Sequence, residues 1–269
     1  MNKIIYIDWG GLGDHLQFST LPENFHKQGH KTYISNFSKY RRSDIKELVW
    51  GSNPYISGFS SEIPNVGHLG VPIPMDNKLS MNHNWEILSG IQWQDSTMHM
   101  NYPIIYKDPN YKEEFHNALL IDLNAHSLAG SIAAYADSIN QHISKVLATE
   151  VYTNVYIIDQ ASCSYSLTTQ NINIPNSINI QTKDIFDYYN TVASCKKIIC
   201  VASGSHVMAV AIKNKHNPLL EIDCFSDFGE WDGYQYHNKS FFWWDTVNYY
   251  RKDSYKNMLL SNYKYVEYR

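Results

Sequence analysis

The chain has 269 residues, 43% of them hydrophobic, enough to bury a sizeable core as one large domain or two small ones. Its formal net charge of -4, with no long basic block, argues against nonspecific attraction to a polyphosphate backbone, while a specific nucleic-acid contact stays open. No run of about 18 apolar residues occurs, and the amino-terminal run Lys3 to Ile7 is too short for a signal peptide, so no membrane span and a cytoplasmic location are expected.

In chain order, a strand over Lys3 to Ile7, a helix to about Lys27, a strand over Lys31 to Ser35, a helix over Asp44 to Trp50 and a strand over Tyr55 to Phe59 make an alternating opening. Alternation of this kind implies a parallel sheet. From Ser60 to Asn82 the sequence is rich in proline, glycine and asparagine and reads as a long surface loop, followed by a short helix over Asn84 to Gln92. A polar, proline-broken stretch between Lys107 and Glu114 marks a boundary. Beyond it come strands at Ala118 to Leu123, Asn154 to Ile158, Ser177 to Ile180, Lys196 to Val201 and Leu219 to Ile222. Helices over Ser131 to Leu147, Lys183 to Ser194 and His206 to Lys213 alternate with them.

The expected architecture is therefore α/β, with two Rossmann-like domains facing across a cleft. Residues 1–112 form the first and 113–240 the second, and a helical tail over 241–269 packs back on the first. Cys163, Cys195, Cys200 and Cys224 are scattered without a C-x-x-C pair, so buried free thiols are expected rather than a disulfide or zinc site. The 21 tyrosines, with abundant asparagine, lysine and isoleucine, fit an AT-rich coding sequence such as that of a low-GC bacterium or a phage.

Asp8-Trp9-Gly10-Gly11-Leu12-Gly13-Asp14-His15-Leu16 is the most informative run, because it joins the first strand to the first helix. Open α/β sheets bind ligands at the carboxyl ends of their strands, glycines let the backbone approach a ligand, and the first helical amides are unpaired. The spacing matches neither the dinucleotide fingerprint nor a phosphate loop, and any such turn in an α/β protein can carry glycines. A second turn, Ala202-Ser203-Gly204-Ser205-His206, again follows a strand and opens a helix. Hydroxyls and close amides at a helix amino end favour an anion. The plain alternative is that Ser203 caps the helix and His206 packs beneath it.

Gly10 to Pro22, reading GGLGDHLQFSTLP, resembles the first loop and helix of the heptosyltransferases, including the autotransporter heptosyltransferases. The resemblance implies a GT-B fold, an acceptor-side first domain with Asp14 as catalytic base, and Gly11, Gly13 and His15 on the acceptor side. The second turn resembles the family element that grips the donor diphosphate, implying donor contacts from Ser203, Gly204, Ser205 and His206. The aspartate opening that element is absent here, and the gap from glycine to histidine is one residue shorter. His126 and Ser127, in Asp122-Leu123-Asn124-Ala125-His126-Ser127, fall where the family reaches the donor phosphates. The acidic, aromatic loop Asp227 to Asp232 stands as a further candidate for the sugar or base.

The function these features imply is a glycosyltransferase moving a sugar from a nucleotide-diphosphate sugar to an acceptor hydroxyl on a glycan, a protein or a modified nucleic-acid base. No D-x-D triplet is present, so metal-independent transfer with no cofactor is expected, and the resemblance implies that the transfer inverts. The alternatives are a phage transferase acting on a hydroxylated DNA base and a non-catalytic nucleotide-sugar or carbohydrate-binding module.

Overall fold

The computed structural model describes residues 1–69, 80–91, 101–124, 136–159, 174–226, 244 and 246–251. The chain divides into two compact units: Met1–Asp108 with Ser240–Trp244, and Pro109–Lys239 with Asp245–Arg269. Both are α/β.

In the first unit, β1 (Asn2–Tyr6), β2 (Lys31–Ser35), β3 (Ile56–Ser60) and β4 (Val66–Gly67) form a sheet in the order β3-β2-β1-β4. All its pairings are parallel. Successive strands run outward from β1 through β2 to β3, and β4 then returns to the other side of β1. The change of direction between β1 and β4 is a topological switch point, where open α/β sheets place ligands. The two-residue β4 lies inside the segment expected to be loop, since a proline- and glycine-rich stretch carries no strand signal.

The sequence reading placed one helix between the first two strands, whereas the structure holds α1 (Leu12–Leu16) and α2 (Leu21–Lys27). Pro22 has no N–H for the Phe18 carbonyl, which accepts from Leu21 N at 3.1 Å instead. The carbonyls at the break find side-chain donors. Asn82 Nδ2 reaches Leu16 O at 3.0 Å and Gln17 O at 2.9 Å, and Ser19 Oγ reaches Leu16 O at 2.7 Å. Asn82 stands on α4 (Met81–Leu88), whose Trp85 donates Nε1 to Gln17 Oε1 at 3.0 Å. After β2, α3 (Ser43–Lys46) runs into a π turn over Glu47–Gly51 that buries Leu48, Val49 and Trp50.

In the second unit, six strands lie in the order β10-β9-β8-β5-β6-β7, all parallel. They are β5 (Leu119–Asp122), β6 (Val155–Ile158), β7 (Ile178–Ile180), β8 (Lys197–Val201), β9 (Glu221–Ser226) and β10 (Asn248–Arg251). β5 and β8 are buried along their whole length, as central strands covered on both faces must be. The covering helices are α5 (Ala136–Thr149), α6 (Ile185–Ser194) and α7 (Gly204–Lys215). Ile139, Ile143 and Val146 recur along one stripe of α5 and join Leu119, Ile121, Ile199 and Val201 in one core. α7 buries every residue from Ser205 to Ile212, so it is enclosed rather than amphipathic. The switch point lies between β5 and β8.

The tail was expected to be helical, but Asn248–Arg251 is the strand β10, paired with β9 from Asn248 opposite Asp223 to Arg251 opposite Ser226. Cys195, Cys200 and Cys224 are free and buried; Cys163 lies outside the described residues.

Glu86 on α4 is fully buried, with Oε1 accepting from Asn24 Nδ2 at 2.9 Å and Oε2 from Asn101 Nδ2. Burial pushes its carboxyl up to about 7 against the pull of these donors. A carboxyl raised in the folded state binds its proton more tightly there than in the unfolded chain, so its contribution falls as pH rises from about 4.5 through about 7. Between pH 5 and 8 the stability of Glu86→Gln relative to the parent should therefore rise by about 2–3 kcal/mol. Urea unfolding of both proteins at the two pH values measures this, and a pH-independent difference refutes it.

Candidate functional site

The turn after β1 is built by its glycines and by the loop that follows β2. Gly10 has φ +70°, a conformation L side chains rarely adopt, and a Cβ on it would lie 3.1 Å from the carbonyl carbon and oxygen of Lys39. Lys39 N donates to Ile7 O at 2.9 Å, and Arg41 N donates to Gly10 O at 2.8 Å. The two loops are thus held backbone to backbone, and a side chain at Gly10 would be strained and would press on the Lys39 carbonyl.

Asp14 is half-buried, and its Oδ2 accepts from Gly11 N at 2.9 Å. That bond closes the amino end of α1. Its Oδ1 has no hydrogen-bond partner among the described residues. Burial raises the pKa of Asp14 above the ordinary carboxylate value, while the Gly11 amide and the Arg41 guanidinium oppose the rise. A helix amino end alone would favour the ionised form; desolvation outweighs it here, leaving a more basic carboxylate.

His15 does not reach the ligand side. It is fully buried, receives Trp50 Nε1 on Nδ1 at 2.9 Å and donates Nε2 to Lys39 O at 2.9 Å. Both nitrogens are used, the tautomer is fixed, the ring stacks on Tyr40 at 4.5 Å, and burial lowers its pKa to about 4. Expected at an acceptor, His15 instead joins α1 to the β2 loop and the π turn. Gly11 is the residue that caps α1 and Gly13 lies within its first turn, and a Cβ on Gly11 would sit 2.7 Å from Asp14 Oδ2.

Sequence reasoning passed over the loop after β2, which carries Lys39-Tyr40-Arg41-Arg42, although a basic run a few residues beyond a strand was a visible signal. Lys39 Nζ pairs with Asp8 at 2.6 Å and Arg42 with Asp44 at 2.7 Å, while the guanidinium of Arg41 faces the Asp14 turn. His68, after β4, was also missed. Its Nδ1 accepts from Asp8 N at 3.0 Å, its ring lies 4.5 Å from that of Trp9, and burial lowers its pKa to about 4.

The turn after β8 carries the second set of residues. Ser203 caps α7, its Oγ accepting from Ser205 N at 3.3 Å. The Ser205 hydroxyl turns inward and donates to Asp122 Oδ2 at 2.6 Å. Tyr188 of α6 donates its hydroxyl to the same oxygen, and Asn124 donates its backbone N and its Nδ2 to Oδ1 at 3.0 and 2.7 Å. His206 is fully buried, with Nδ1 donating to Ser203 O at 3.0 Å. Of the four donor contacts expected from this turn, Ser205 and His206 are therefore committed to the interior. Gly204 is left at the first helical position, its amide without a partner among the described residues. His126, Ser127 and the loop from Asp227 to Asp232 lie outside the described residues.

No protein-family model matches the sequence, and no curated protein sequence matches it. Among solved structures, the iron-containing dodecameric glycosyltransferase TibC of enterotoxigenic E. coli is 16% identical with a TM-score of 0.53, covering 88% of this chain and 60% of its own. A second TibC structure, in complex with ADP-D-β-D-heptose, gives 15% and 0.52, covering 84% of this chain and 58% of its own. The E. coli ADP-heptose lipopolysaccharide heptosyltransferase II is 10% identical with a TM-score of 0.51, covering 95% and 94%. The chain spans about three fifths of the length of the TibC structures. These likenesses show a fold shared with heptosyltransferases, made of two parallel α/β sheets.

Gly29 has φ +77° with nothing within 4 Å of an added Cβ, whereas Gly10 combines φ +70° with the Lys39 carbonyl at 3.1 Å. Gly29→Ala should cost about 1 kcal/mol from backbone strain, and Gly10→Ala at least about 1 kcal/mol more. Equal unfolding free energies for the two variants would count against the packed turn.

Proposed function

We propose that the protein is a glycosyltransferase of heptosyltransferase type, taking a sugar from a nucleotide-diphosphate donor and attaching it to an acceptor hydroxyl. The observation that carries this is Asp14: a carboxylate at the carboxyl end of β1, with Oδ2 anchored by Gly11, Oδ1 uncommitted among the described residues, and a basicity raised by burial. The fold shared with TibC and heptosyltransferase II, and the complex of TibC with ADP-D-β-D-heptose, support the reading and make that compound the first donor to test.

In this reading the acceptor hydroxyl passes its proton to Asp14 as its oxygen attacks the anomeric carbon. The bond from that carbon to the diphosphate oxygen breaks, the electron pair leaves with the diphosphate, and attack opposite the leaving group inverts the centre. The donor diphosphate lies at the amino end of α7, where the Gly204 amide and the helix dipole stabilise its growing negative charge. Transfer without a divalent ion is the accompanying expectation, resting on the absence of a D-x-D triplet. The Ser203 hydroxyl borders this site, while Ser205 and His206 shape the turn from beneath.

Asp14→Asn separates capping from catalysis, because an amide oxygen still accepts from Gly11 N but takes up no proton. Turnover should fall about 10²- to 10⁴-fold with donor affinity unchanged. In parallel, Gly204→Val should weaken donor binding in calorimetry while the protein stays folded. Turnover of Asp14→Asn within a few-fold of the parent places the base elsewhere, and unchanged donor affinity in Gly204→Val removes the diphosphate from this turn.

A further inference from the structure

Trp9 stands at the carboxyl end of β1, in the turn that continues through Gly10 and Gly11 to Asp14, and it is 57% exposed. Single exposed aromatics are ordinary. This one is backed. Its ring lies 4.5 Å from that of His68 at an interplanar angle of 37°. His68 in turn is fixed by the Asp8 amide at 3.0 Å and by edge contacts with Phe18 at 5.1 Å and Trp85 at 5.2 Å. Trp9 and His68 therefore bridge the ends of β1 and β4, the switch point of the first sheet. Phe37, at 60% exposure in the neighbouring loop, has no ring partner among the described residues and makes the contrast. Beside Trp9 the chain runs through two residues without side chains.

We propose that the exposed indole of Trp9, held on His68, is the stacking platform for a saccharide ring of the acceptor, which makes the acceptor a glycan rather than a polypeptide or a nucleic acid. This rests on the reading that Asp14 activates an acceptor hydroxyl. An exposed indole backed by a second ring suits the C–H face of a pyranose, because stacking adds little further ordering. A serine side chain presents no ring to stack. A nucleic acid needs a track of available cations for its phosphates, but Lys39 is paired with Asp8 and Arg42 with Asp44, leaving Arg41 alone in that loop.

The test uses the full chain and needs no turnover. Methyl pyranosides of glucose, galactose and mannose, a serine-containing peptide and a short oligonucleotide carrying hydroxymethylcytosine are compared by ligand-observed saturation-transfer NMR. A pyranoside should bind through its ring C–H protons; Trp9→Ala should weaken it about tenfold and Trp9→Phe should retain most of the affinity. ADP affinity and thermal stability should match the parent in both variants. Equal pyranoside binding in Trp9→Ala, binding of the peptide or oligonucleotide in preference, or binding of none of the probes overturns the assignment. Failure of ADP or ADP-heptose to bind the parent protein counts instead against the donor reading, so the two failures are distinguishable.

Discussion

Parallel pairing puts the carboxyl ends of all strands of a sheet on one edge, and every pairing described in both sheets of this chain is parallel. The edge where strands end and helices begin is the place where unpaired amides, glycine turns and outward side chains collect. Asp14 and Trp9 stand at that edge after β1, and Ser203 and Gly204 after β8. Each turn adjoins the point where its sheet reverses strand order, because β4 returns to the far side of β1 and β8 to the far side of β5. Two edges of this kind follow from topology, before any particular side chain is considered.

Two carboxylates beside these turns, Asp122 and Asp14, differ in what they have left to give. Asp122 is fully buried and accepts four hydrogen bonds, two on each oxygen, from Asn124, Ser205 and Tyr188. Its acceptor capacity is filled, and it ties β5, α6 and the start of α7 together as a structural anchor. Asp14 is half-buried and accepts one bond. Loss of water without full hydrogen-bond compensation makes a carboxylate more basic, whereas full compensation turns it into a strut.

At the opposite edge of the second sheet, charge is used for cohesion. Lys197 at the start of β8 lies 3.1 Å from Glu150 and Glu221 and 3.3 Å from Asp223, which is bonded to His142 of α5 at 2.9 Å. Burial pushes the Asp223 carboxyl up, but His142, Asn248 and Lys197 together hold it below the usual carboxylate range. Asn248 Nδ2 donates to Asp223 Oδ1 at 2.8 Å, so the network also fastens β10. A buried cluster of this kind is weak evidence for net stability, since desolvation offsets much of the attraction, but removing one partner leaves the others uncompensated.

By itself the sequence determined the alternating α/β order, the parallel sheets, the two turns after β1 and β8, and free, buried thiols at Cys195, Cys200 and Cys224. These are local properties: periodicity, glycine placement and strand-length apolar runs are set within a few residues. Only the tertiary structure decided which side chains turn into the interior, because each such orientation depends on partners far along the chain. Ser205 turns to Asp122, 83 residues away, and His15 is claimed by Trp50, 35 residues away. The break between α1 and α2 combines a local cause, Pro22, with a distant one, Asn82. The strand β4 has too few residues to show a period and exists because β1 offers it an open edge. His68 acquires its place from that pairing, and with it the support of Trp9.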